Sequence, residues 1–243
     1  MELIRSLVDE GWPSWVTLQR PWYAWLRLTE QGGRTAREIQ SNAQSQEETY
    51  QTTWREFFPS RDAVVARWHE WSLRATDVGI QTRSVLTAAA QAGGITAVRF
   101  RDAAARLHER TGRTAGNGSL MRTAPVALAY LDDEDAMVKA ARALSDLTHV
   151  DPDAGDACVL WCCAIRHAVL TGQLDVRIGL RHIDWSRRKV WQERLDAAEA
   201  GRPSPFAHNG SVVAALQAAW SAISTTAVPV DDPARPGCSA PTI

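Results

Sequence analysis

The sequence predicts an all-α fold, a multi-helix bundle of short and medium helices. Three observations predict it. Apolar residues recur at three- and four-residue spacing through most of the chain, which is the period of one helix face. No stretch gives a good alternating strand pattern. Glycines, prolines and capping residues punctuate the periodic stretches at helical lengths. We expect one domain over residues 1–226, with a polar loop or mobile insertion at 34–58, and a proline-rich disordered tail over 227–243.

Glu2 to Glu10 reads as the last turns of a helix, with Leu3, Ile4, Leu7 and Val8 on one face and Gly11 as its stop. Pro21 can open a second helix, and Trp15, Leu18, Trp22, Trp25 and Leu26 keep helical spacing across it. Gly32-Gly33 breaks that pattern. From Arg34 to Phe58 the chain is polar and carries little core. Val64, Val65, Trp68 and Trp71 resume an apolar face. In Thr76 to Thr82, Asp77 sits in a turn and Gln81-Thr82 begin a helix with Val85 and Leu86 inside. Capping that helix is one role for Asp77. Gly93-Gly94 ends the segment, and Arg99 to Arg110 follows as a charged amphipathic helix.

Asp132 to Asp135 is an acidic helix start, favourable at the positive end of the helix dipole. Met137, Ala140, Leu144 and Leu147 form the apolar stripe behind it. Pro152 disfavours helix just before itself, and Asp153 restarts it. The next helix, Ala154 to Thr171, turns Ala157, Leu160, Trp161, Ala164 and Ala168 inward and closes at Gly172. Trp185 to Ala200 is another, ended by Gly201. Asn209-Gly210-Ser211 caps the last, with Val213, Leu216, Trp220 and Ile223 at helical spacing. Four prolines and no helical period mark the tail.

The 243 residues are 45% hydrophobic and 23% charged, with a formal net charge of −1. That balance carries neither a basic nucleic-acid footprint nor an acidic tail. No apolar run approaches the roughly 20 residues needed to span a membrane, and Met1 to Arg5 lacks a signal pattern. The expectation is a soluble cytoplasmic protein with no nucleic-acid or membrane partner; composition leaves its oligomeric state open. Cys158, Cys162 and Cys163 share one predicted helix without a second ligand pair at zinc spacing, so core packing is their expected role. Eleven tryptophans against four phenylalanines is an unusual balance.

The chain is organised around Gly116-Asn117-Gly118-Ser119-Leu120-Met121-Arg122, which reads as a tight turn feeding a helix. Gly116 and Gly118 permit backbone angles a side chain would forbid, and let a ligand approach the main chain. Asn117 tolerates left-handed conformations. Ser119 is a good N-cap. Free amides and a partial positive charge at such a helix start suit a phosphate, and Arg122 lies one turn in to add charge. Pro125 should limit this helix to about two turns or kink it. An ordinary capped loop remains the plainer alternative. His149, at the end of the helix before Pro152, reads as a C-terminal cap on its position alone.

Those segments together resemble the ADP-ribosylglycohydrolase family, which includes the dinitrogenase-reductase-activating glycohydrolase. The likeness rests on Gly116 to Arg122 with Pro125, then Leu147-Thr148-His149-Val150-Asp151-Pro152. Asp77-Val78-Gly79 with Thr82, and Asn209-Gly210 before the last helix, are similar to two further family segments. The resemblance implies an all-α hydrolase that cleaves the glycosidic bond between ADP-ribose and a protein side chain or small acceptor, using two magnesium or manganese ions. It implies that amides near Gly118 and Ser119 hold the diphosphate, with Gly116, Asn117, Met121 and Arg122 around them. It places His149 near the ribose or adenosine part and Asp77 beside the reacting ribose as the catalytic acidic residue.

The family's metal ligands lie in a Thr-Asp-Asp type motif near the N-terminus and an Asp-x-Asp-Thr type motif near the C-terminus. Neither motif occurs here, and Asp132-Asp133 and Asp231-Asp232 stand in other contexts. The helix from Glu2 resembles the one that follows the first motif, so the chain is expected to be incomplete at both ends. Three readings follow: a metal-dependent hydrolase, a module that retains ADP-ribose without cleaving it, or a truncated helical remnant.

Overall fold

The computed structural model describes residues 60–201, 206 and 209–225. The expectations for Glu2 to Glu10, the tryptophan stripe from Trp15 to Trp25, the 34–58 segment and the 227–243 tail lie outside these residues. Within them the chain is all helical. The elements are α1 Arg61–Ser72, α2 Ile80–Gln91, α3 Ala97–Thr111, α4 Gly118–Met121, α5 Ala124–Ala129, α6 Glu134–Asp146 and α7 Pro152–Thr171. A 3-10 helix at Arg177–His182, then α8 Trp185–Ala200 and α9 Val212–Thr225, complete the order. No strand occurs among the described residues; a single antiparallel bridge joins Gly116 to Ser211.

Side chains set the helix starts. Ser60 accepts from the Ala63 amide to begin α1, Asp133 from Ala136 to begin α6, and Asp184 from Ser186 to begin α8. Each satisfies a first-turn donor that has no acceptor within the helix. Asp151 does the same for α7 through the Asp153 amide, with Pro152 in the first turn. Gly172 closes α7 in a left-handed conformation, with φ 76°. Two expectations about caps are overturned. Asp77 does not cap α2: Gly79 holds that position without a side-chain bond. Ser119 does not cap α4: Asn117 holds the cap position, again without a side-chain bond.

The helices pack around two apolar clusters. The larger surrounds α7, whose Ala154, Ala157, Val159, Leu160, Cys162 and Ala164 are buried against α5, α6, α8 and α9. Trp191 and Leu195 from α8, and Val212 and Leu216 from α9, complete it. At 20 residues α7 is long and apolar enough to cross a bilayer, longer than the sequence reading allows for, yet it is the central helix of this core. All three of its cysteines are buried and free, as core packing requires. The smaller cluster joins Val65 of α1, Val85, Leu86 and Ala89 of α2, and Phe100, Ala103 and Ala104 of α3. Leu144 of α6 packs against both. The face α9 buries is Val212, Leu216 and Trp220; Ile223 continues that face into the last turn of the helix, where it is 41% exposed.

Candidate functional site

The seam between the two clusters brings together all four singled-out segments. From α2, Gln81 Nε2 donates to the Thr114 carbonyl and to the Thr148 carbonyl, each at 2.9 Å. One amide thus ties α2 to the glycine turn and to the end of α6. On the other side, the Asn117 amide donates to Gly210 O at 3.1 Å and Val212 N to Ala115 O at 2.9 Å. The Asn117 side chain also donates to Asn209 O at 2.6 Å. Those bonds lock the turn onto the start of α9.

The turn is not left-handed. Asn117 is right-handed helical, with φ −75°, and the positive-φ glycines among the described residues are Gly93, Gly112 and Gly172. Gly116 and Gly118 are required for close approach instead. A Cβ on Gly118 would stand 3.1 Å from His149 Cε1, 3.2 Å from His149 Nε2 and 3.4 Å from Thr82 Oγ1. A Cβ on Gly116 would stand 3.0 Å from Gln81 Oε1 and 3.3 Å from His149 Nε2. The first neighbour of both glycines is therefore a histidine ring or a glutamine amide of the same chain.

The helix after the turn is shorter than expected. Only Gly118–Met121 is helical; the chain breaks at Arg122-Thr123, and Pro125 opens α5 instead of ending α4. Asn117 O accepts from the Met121 amide at 3.0 Å, which closes the single turn. The amides of Gly118 and Ser119 have no acceptor within such a turn. Ser119 is buried, and its hydroxyl has no oxygen or nitrogen partner; it lies by the Cys158 thiol below. Met121 is on the surface, 77% exposed.

Arg122 faces inward. It donates to Gly118 O at 3.2 Å, to Leu144 O at 3.3 Å and to Thr148 Oγ1 at 2.5 Å. Its guanidinium lies 4.3 Å from the Trp68 ring centre, on α1. Burial pushes its pKa down to about 10, so it keeps its charge at neutral pH. The charge expected to reach toward a phosphate instead fastens the turn from below, because three oxygens and an indole face take up the guanidinium.

His149 is buried beside it, and Thr148 Oγ1 lies 2.7 Å from its Nδ1. Burial first, then the Arg122 charge, push its pKa down to about 3. It is neutral and cannot serve as a charged cap for α6, whose C-cap is Leu147. Asp77 is exposed in the 73–79 connection, three residues before the start of α2.

Magnesium and manganese do not fit the donors that the described residues bring together. There, one group places three ligand atoms within 4.8 Å of one another: Glu134, Cys163 and His182. Glu134 is already bound by Arg166 at 3.1 Å, by His182 at 2.6 Å, and by Arg181. Burial works against its charge, yet hydrogen bonds from Arg181 and His182 hold its pKa below the ordinary value. Burial, reinforced by Glu134, pushes the Cys163 thiol up to about 12. A thiol, an imidazole and one carboxylate that two arginines already neutralise are a poor cage for a hard cation, which takes several oxygens.

The sequence reading missed two contributors to the site. Gln81 was read only as a helix start, and Thr148 only as a motif neighbour. Both act through contacts between distant positions, 33 residues apart for Gln81 to Thr114 and 26 for Arg122 to Thr148, which no local pattern encodes. Neither a curated protein nor a solved structure matches the chain. The sequence model of the ADP-ribosylglycohydrolase family matches residues 3–234. With that match spanning nearly the whole sequence, and the four motif segments meeting at one seam, the chain belongs to the ADP-ribosylglycohydrolase family.

Proposed function

We propose that this chain recognises the ADP-ribose group of an ADP-ribosylated protein or small ADP-ribose derivative, and that the seam at the glycine turn is where it does so. One observation carries the reading: the segments at Gln81-Thr82, Thr148-His149 and Asn209-Gly210 all border the glycine turn, through hydrogen bonds to Thr114 and Asn117 and through the close approach that Gly116 and Gly118 allow. The Gly118 and Ser119 amides are donors for a diphosphate, in line with the general affinity of unpaired helix-start amides for anions. In a glycohydrolase of this family, such recognition precedes cleavage of the glycosidic bond.

A second reading, retention of ADP-ribose without cleavage, is favoured by the poor fit of Glu134, Cys163 and His182 to magnesium or manganese. Two measurements separate the readings. Calorimetry with ADP-ribose tests recognition: the wild-type chain gives binding heat and Gly118→Val loses it. A folded wild-type protein that gives no heat, or equal heats from both proteins, overturns the site. Release of ADP-ribose from an ADP-ribosylated protein in the presence of manganese tests cleavage. Turnover makes the chain a hydrolase, and binding without turnover makes it a binding module.

A further inference from the structure

Beneath the glycine turn a chain of polar groups runs from α1 to the seam, and the sense of each hydrogen bond in it can be worked out. A guanidinium only donates, so Arg122 Nη2, 2.5 Å from Thr148 Oγ1, makes that oxygen an acceptor. Thr148 is fully buried, and among the described residues the one acceptor within reach of its hydroxyl proton is His149 Nδ1, at 2.7 Å. Leaving a buried hydroxyl proton without an acceptor costs the full desolvation of that donor. The proton therefore goes to Nδ1, and Nδ1 carries none of its own.

We infer that Arg122 and Thr148 are positioning residues that hold His149 as the neutral tautomer protonated on Nε2, so that the ring meets the glycine turn as a hydrogen-bond donor of fixed sense. Trp68, stacked on the guanidinium, anchors the relay on α1. Nε2 borders the spaces where side chains on Gly116 and Gly118 would stand. The Gly116 space is bordered on its other side by Gln81 Oε1. That amide is fixed too, because its nitrogen donates to two carbonyls and leaves the oxygen toward the turn. The turn thus lies between one committed donor and one committed acceptor. The depressed basicity of His149, caused by burial and by Arg122, agrees with this geometry. Resting on the recognition proposed above, the inference specifies the ligand chemistry: the atom of an ADP-ribose group that meets His149 is an acceptor, a phosphate or ribose oxygen, and His149 does not take a proton from it.

The test needs no ligand, so it stands apart from whether ADP-ribose binds. Full-length protein labelled with 15N-histidine is measured at neutral pH by long-range proton–nitrogen correlation, which distinguishes the two neutral tautomers and the charged ring. The His149 signal is assigned by its loss in His149→Gln. The wild type should show the pattern protonated on Nε2. Thr148→Val should lose it and give mixed tautomers, and Thr148→Ser, which keeps the hydroxyl, should restore it. A wild-type ring protonated on Nδ1 or on both nitrogens overturns the inference, as does an unchanged pattern in Thr148→Val. The wild-type spectrum decides by itself if Thr148→Val does not fold.

Discussion

The ring of His149 fills the space that a side chain on Gly118 would need, with Cε1 3.1 Å from where the Cβ would stand. The ring cannot retreat, because it is buried and bonded to Thr148. Gly118→Ala should therefore cost about 1–3 kcal/mol, the usual range for overpacking. Denaturant titration reads it directly. Gly79→Ala is the control: nothing lies within 4 Å of its would-be Cβ, so its midpoint should stay near that of the wild type. Equal midpoints for Gly118→Ala and the wild type would remove the steric argument.

His149 also makes stability depend on pH. Its folded-state pKa, about 3, lies below the ordinary 6.5. Between those values the unfolded chain binds the proton and the folded chain does not. The stabilising contribution is therefore complete above 6.5 and is lost as pH falls toward 3. The slope is at most roughly 1.4 kcal/mol per pH unit. Denaturant unfolding of the wild type and of His149→Gln across this window should show a shallower slope for the variant. Superimposable slopes would refute the assignment.

Asp156 sits in the second turn of apolar α7, and its carboxylate is 3% exposed. It accepts from Arg142 Nη1 at 2.7 Å, Arg187 Nε at 2.6 Å and Trp191 Nε1 at 3.0 Å. Removing it takes one partner from Arg142 and Arg187, which keep the His182 carbonyl and Asp153, and leaves the Trp191 indole N–H without its acceptor. Asp156→Ala should cost about 1–3 kcal/mol, the penalty for leaving a buried donor unpaired. Thermal or urea unfolding checks this; a loss below about 1 kcal/mol, the level of an exposed pair, would contradict it.

Burial raises the pKa of the Cys158, Cys162 and Cys163 thiols, that of Cys163 to about 12. Thiolate is the reactive form, so these three should resist a thiol reagent in the native protein. They should react after denaturation, and site-resolved labelling by mass spectrometry separates them from Cys238. Rapid native labelling of any of the three would show that the α7 core opens.

Helical periodicity located the elements from Arg61 onward because each buries one face, and a face leaves a trace every three or four residues. The α8 bounds, Trp185 to Ala200, were legible for that reason. Function was legible as four short segments, since turns and caps demand particular residues locally. Their wiring was not. Arg122 reads as a free charge beside a phosphate-type turn, yet its partners Thr148 and Trp68 lie 26 and 54 positions away in sequence. Asp156 looks like a flaw in an apolar run until α8 brings Arg187 and Trp191 against it. The surplus of tryptophan also gains a partial account there: the indole N–H groups of Trp191 and Trp220 bond to Asp156 and Glu199, a task phenylalanine cannot perform.

The sequence by itself determined the helical class, the position of most helices and the family, because these follow from local spacing and short motifs. The tertiary structure alone decided what the two glycines make room for. Backbone freedom is a property of one residue, whereas the ring that presses on Gly118 arrives from the connection between α6 and α7. Which side chain occupies that space depends on how two hydrophobic clusters meet, and that meeting is a sum of distant contacts that no single stretch of chain contains.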